Sequence, residues 1–130
     1  MGCWTERLGK VLVNSKQIME IAVKAADEKR SDDITVLDMQ GVSLVADYFV
    51  ITNADSQRQV AAVAENIVER EEEAGNTVDH VEGTKESSWI LIDLGDVIVH
   101  VFTKEQREFY QIEKLWSDAK QVDVSKLIKA

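Results

Sequence analysis

Proline is absent from all 130 residues, and cysteine occurs once, at Cys3. A single thiol rules out an intramolecular disulfide framework, so the fold must rest on its own core, which a chain of this length can build. That cysteine usage suits a reducing cytosol, and a cytoplasmic protein is expected. Gly/Ser linkers and repeats of fixed period are missing too, so nothing marks a domain boundary, and one domain is the default. No apolar run approaches the roughly 20 residues of a membrane span. The opening "MGCWTERLGKVLV" mixes charges into what would have to be the unbroken core of a signal peptide. Glu6 stands where a myristoylation start needs Ser or Thr, so no membrane partner is expected. Basic residues are scarce: 15 Lys and Arg face 24 Asp and Glu, a net charge of −9. Broad or sequence-specific nucleic-acid binding is therefore not expected, since affinity for phosphates comes largely from Lys and Arg.

The acid is concentrated. Glu65, Glu69, Glu71, Glu72, Glu73, Asp79, Glu82 and Glu86 are offset only by Arg70 and Lys85 in that stretch. Such a field speeds association with a basic partner, although a solvated helix face would look the same.

Periodicity gives the elements. Ser15 is placed as the cap of a first helix, with Ile18, Ile21, Ala22 and Ala25 as its apolar stripe. "ITVLDMQG" (Ile34 to Gly41) and "DYFVITNA" (Asp47 to Ala54) read as strands. Ser56 with Gln59 forms a capping box for a second helix, striped by Val60, Ala61, Ala64, Ile67 and Val68 and stopped at Gly75-Asn76. "TVDHVEG" is a short third strand, and "LIDLGDVIVHVF" (Leu91 to Phe102) is the heart of a hairpin. Thr103 and Gln106 repeat the capping box before a last helix striped by Phe109, Ile112, Leu115, Trp116 and Ala119. The tail "QVDVSKLIKA" reads as a short helix or a packed extension. Interleaved helices and strands imply an α/β domain, a mixed sheet covered by helices.

The hairpin carries the candidate site. With Leu94-Gly95 as a two-residue turn, Asp93 faces Asp96 and Trp89 faces His100. Alternation puts Ile90, Ile92, Val97, Val99 and Val101 on a core face, and Trp89, Leu91, Asp93, Asp96, Ile98, His100 and Phe102 on the other. Like charges opposite each other cost a few tenths of a kcal/mol, which hints at a use for them. Alternatively "DLGD" is a wider, four-residue turn that uses Asp to bond its own backbone. The chain has no Asp-x-Asp pair, Gly-rich phosphate loop, zinc-ligand spacing or nucleophile elbow. No metal, cofactor or catalytic residue is expected. The last helix adds Arg107, Tyr110, Glu113 and Trp116, and Arg, Tyr and Trp are enriched where proteins bind one another.

In order and spacing, "ADYFVI", "SQRQVAAVAENI", "VEG", "SSWILIDLGDVIVHVF" and "REFYQIEKLW" resemble the ribosomal silencing factors, the Iojap-like family also called RsfS. The resemblance runs roughly from Ser15 to Ser117. It implies a non-enzymatic translation factor with a five-stranded mixed sheet, distantly nucleotidyltransferase-like but without catalytic acids. It also implies binding to the large ribosomal subunit through its protein uL-fourteen, which blocks association with the small subunit when nutrients are scarce. Large-subunit maturation and a diverged nucleotidyltransferase are the alternatives, and a homodimer fits the family. Carried across residue by residue, the functional strip is Trp89, Asp93, Asp96, His100, Arg107, Tyr110 and Trp116. Residues 1–14 are read as an atypical N-terminal extension, of which "MGCWTERLGKVLV" resembles nothing in the family, while Asn14-Ser15-Lys16 resembles a family start; 15–120 form the domain, and 121–130 are a tail. Translation is expected to start at Val13, in which case N-terminal mass spectrometry of the native protein finds no peptide containing Trp4.

Overall fold

The computed structural model of the protein describes residues 15–29, 31–40, 46–84, 86–111, 114, 119–124 and 127. The chain order is helix α1 (Ser15–Glu28), strands β1 (Asp32–Asp38) and β2 (Tyr48–Ala54), helix α2 (Gln57–Glu73), strands β3 (His80–Glu82), β4 (Trp89–Asp93) and β5 (Val97–Thr103), helix α3 (Lys104–Tyr110) and strand β6 (Lys120–Val122). The strands form one open sheet in the order β3-β4-β5-β2-β1-β6, in which β2 and β5 run parallel and the other pairs antiparallel. This is a mixed sheet flanked by helices. It has six strands where five were expected, because the tail supplies β6, which pairs with β1 so that Val36 lies opposite Val122.

Helix α1 buries Met19, Ala22, Val23 and Ala26, three and four residues apart. Its stripe is turned slightly from the expected one, leaving Ile18 and Ile21 half-buried. Helix α2 starts where Ser56 Oγ accepts from Gln59 N at 3.2 Å, while Gln59 Oε1 takes Asp55 N at 3.0 Å, one residue before the expected partner. It stops at Gly75, whose φ of 88° is left-handed and favours glycine. Both helices pack on one sheet face against Val36, Val50, Ile90, Ile92, Val97, Val99 and Val101. The hairpin's expected core face is therefore the core. The opposite face carries a second apolar cluster, Leu37, Met39, Ala46, Phe49, Ile51 and Phe102, with Trp89, Ile98 and Ala119 packed against it.

Two local expectations are corrected. The hairpin pairs Asp93 with Ile98, Leu91 with His100 and Trp89 with Phe102. Asp93 thus does not face Asp96, and the two-residue turn gives way to the wider-turn alternative, with residues 94 to 96 between the strands. Asp93 Oδ1 accepts from Gly95 N at 2.9 Å, and Leu94 N bonds Val97 O at 2.9 Å while its side chain is buried. The two-residue change of register leaves every side chain on its expected face. Helix α3, capped by Thr103 Oγ1 accepting from Gln106 N, ends at Tyr110 because Gln111 turns left-handed at φ 48°. Phe109 is 76% exposed and so lies off the core. Ile112, Leu115 and Trp116, the N-terminal extension and half of the tail lie outside the described residues.

Candidate functional site

The hairpin's second face is an aromatic ladder. Trp89 lies 4.9 Å from Phe102 between ring centroids, His100 stacks on Phe102 at 6.0 Å, and Phe49 meets His100 edge-on at 5.2 Å. His100 is buried, and its Nδ1 accepts from Trp89 Nε1 at 3.2 Å. An accepting Nδ1 leaves the proton of the neutral ring on Nε2, which has no hydrogen-bond partner among the described residues. Burial pushes the imidazole pKa down to about 4, so the ring stays neutral. His100 therefore fixes the indole of Trp89 instead of offering charge.

The acids gather at the loop end. Asp96 is exposed, and its backbone oxygen accepts from Asp47 N at 2.7 Å, tying the loop to the start of β2. Asp79 N bonds Asp93 O at 2.9 Å, which brings a third acid to the same end. Strand β3 extends the face, because His80 lies opposite Asp93 and Glu82 opposite Leu91. His80 Nε2 and Glu82 Oε1 pair at 3.0 Å. These β3 residues were missed in the sequence, where only their alternation within "DHVEG" could have placed them.

Arg107 sits apart from that acidic end. It is buried, donating to Asn53 Oδ1 at 3.0 Å, to Thr35 Oγ1 at 2.9 Å and to the Asp33 backbone oxygen, with Asp33 Oδ2 at 3.8 Å. The guanidinium thus pins α3 across β1 and β2, aided by the positive φ of 50° that turns Asp33 at the β1 irregularity. The polar Asn53 in the otherwise apolar "YFVITNA" was the available signal for such a partner. The backbone of Tyr110 ends α3, and Trp116 lies outside the described residues. Trp89 and His100 therefore share one hydrogen-bonded cluster, and Asp93 and Asp96 lie at the loop at the other end of β4, whereas Arg107 is bonded to Asn53, which pairs with Phe102 beside Trp89. Among the described residues, no group of three or more His, Cys, Asp or Glu side chains is arranged to hold a metal ion.

A second buried ionisable group opposes His100 in its response to pH. Glu71 in α2 is fully buried, and desolvation raises its pKa to about 7, although Asn76 Nδ2 donates to Oε1 at 2.8 Å and lowers it somewhat. A raised carboxylate pKa stabilises the fold below the unfolded value of 4.5, and that contribution is lost as pH rises through about 7. A lowered imidazole pKa stabilises above 6.5 and is lost as pH falls through about 4. The two slopes, each about 1.4 kcal/mol per pH unit, cancel between those unfolded-state values. Urea titrations at pH 5 and pH 6.5 are expected to show Glu71→Gln losing stability toward the acid side relative to wild type. His100→Gln is expected to lose it toward the neutral side; parallel profiles for all three proteins would refute this assignment.

Fold and face together define a small α/β domain that presents a shaped, acid-tipped sheet surface. The family model "Ribosomal silencing factor during starvation" matches residues 13–130. The ribosomal silencing factor RsfS of Bacillus subtilis is 50% identical over 112 residues, covering 86% of this chain and 95% of its own. A mouse protein, "Mitochondrial assembly of ribosomal large subunit protein 1", is 27% identical over 108 residues, covering 81% of this chain and 47% of its own. A crystal structure from Bacillus halodurans superposes with a TM-score of 0.74 at 39% identity, covering 83% of this chain and 98% of that one. The chain belongs to the ribosomal silencing factor family.

Proposed function

We propose that the protein acts in the cytoplasm by binding the large ribosomal subunit through its basic protein uL-fourteen, blocking association with the small subunit under nutrient limitation. Family membership carries this reading, since the matched span, 13–130, includes every residue of the strip. Occlusion needs no chemistry: a domain occupying a patch required for subunit contact prevents that contact sterically. The strip Trp89, Asp93, Asp96, His100, Arg107, Tyr110 and Trp116 divides by role. Trp89, Asp93 and Asp96 meet the partner, His100 holds the Trp89 indole in place, and Arg107 fixes α3 on β1 and β2. Acid at the loop end favours a basic protein and repels the surrounding phosphates, which adds specificity. The resemblance implies a fold distantly like nucleotidyltransferases but without their catalytic acids, and the lack of an Asp-x-Asp pair agrees with the loss of those acids.

Sucrose-gradient sedimentation tests the proposal. The protein is expected to travel with large subunits and not with small ones, and unchanged profiles at saturating protein would end it. The mouse relative's name favours a second reading, a role in large-subunit assembly. Accumulation of ribosomal RNA precursors after deletion would support assembly, whereas normal precursors with excess joined ribosomes would support silencing.

A further inference from the structure

On the other side of the sheet, beside α2, lies a groove of about 330 Å³ that the strip does not use. Its floor and walls are Ala61, Ala64, Val68, Val81, Gly83 and Ile90. Val81 points into it from β3, the terminal strand of the sheet, and is 41% exposed. Gly83 keeps the groove's end open at a φ of 120°, where an added Cβ would meet Ile90 Cγ1 at 3.0 Å. Ala61, Ala64 and Ile90 form the floor, already buried against the sheet at 9%, 4% and 4% exposure, while the half-buried Val68 and the exposed Val81 rise beside them as apolar walls. Glu65, Glu69 and Glu72 line the rim in successive turns, exposed and without an ion pair among the described residues.

We infer that this groove docks an amphipathic helix of a partner protein, one whose apolar stripe is flanked by lysines or arginines. The apolar stripe covers Val68 and Val81 above the alanine floor, while cations one turn apart on the partner meet carboxylates one turn apart on α2. A second copy of the chain suits the groove poorly, since a two-fold contact sets one glutamate rim against the other. The same rim repels nucleic acid. The contact is independent of the ribosome-facing strip, which lies on the opposite sheet face.

The test uses the full-length protein and two labelled 14-residue peptides, one of leucine and lysine with leucines spaced three and four apart, the other with glutamate in place of lysine. Fluorescence anisotropy is expected to show binding of the Leu/Lys peptide alone, weakened at least tenfold by Glu65→Lys/Glu69→Lys. Val81→Asp is decisive because it adds negative charge. Groove docking loses at least tenfold in affinity, whereas diffuse charge attraction keeps or gains it and overturns the inference. Equal binding of both peptides overturns it as well. So does a wild-type dimer in light scattering that Val81→Asp makes monomeric, since a second copy would then fill the groove. Val81→Ser, a neutral change at a 41% exposed site, keeps the test valid if Val81→Asp fails to fold, because it weakens groove docking severalfold; an affinity left unmoved, as diffuse charge attraction requires, overturns the inference.

Discussion

Replacing Arg107 with alanine is expected to cost the fold at least about 2 kcal/mol, because two buried acceptors lose their charged donor. Arg107 is only 8% exposed and ties α3 to two strands, to β2 through Asn53 and to β1 through Thr35 and Asp33. Its removal strands the buried Asn53 Oδ1 and Thr35 Oγ1, and each buried acceptor left unmet costs about 1–3 kcal/mol. Arg107→Lys is expected to recover little, because a point-like ammonium cannot reach both acceptors in the planar fork that a guanidinium provides. Urea denaturation measures the loss. If stability were unchanged but ribosome binding vanished, Arg107 would have to be reassigned from holding α3 to touching the partner.

Reversing both loop-end charges, Asp93→Lys with Asp96→Lys, is expected to weaken large-subunit binding at least a hundredfold, or about 2.8 kcal/mol. Two further variants separate contact from turn shape. Asp93→Asn keeps an oxygen for the Gly95 N–H that Asp93 Oδ1 now accepts, so its loss of affinity measures charge alone. Asp96 is exposed and engages the fold through its backbone oxygen, so Asp96→Lys tests contact without disturbing the loop. If Asp93→Lys weakened binding while Asp93→Asn and Asp96→Lys were silent, the acids would serve only the turn.

Period-two alternation was enough to separate the hairpin's two faces, because any even shift of register preserves them. It was not enough to fix the register, which depends on Asp93 bonding Gly95 N and Leu94 turning inward, interactions of a loop rather than of a pattern. The second helix was legible from Ser56 and Gln59 since capping is local chemistry. The end of α3 was not, because the apolar spacing continues past Tyr110 while the chain turns at Gln111. The sixth strand was hidden for a related reason: three residues pairing with a distant partner leave almost no local signal. At the site, alternation placed Trp89, Asp93 and His100 on one face, whereas the burial of Arg107 depends on partners more than fifty residues away in sequence.

The most direct test of the occlusion proposal is subunit joining measured in sucrose gradients with purified subunits. Wild-type protein is expected to deplete the joined-ribosome peak and to sediment with free large subunits. The Asp93→Lys/Asp96→Lys variant, folded as judged by its urea midpoint, is expected to leave that peak intact. A joined-ribosome peak depleted equally by both proteins would contradict docking through the acidic loop end.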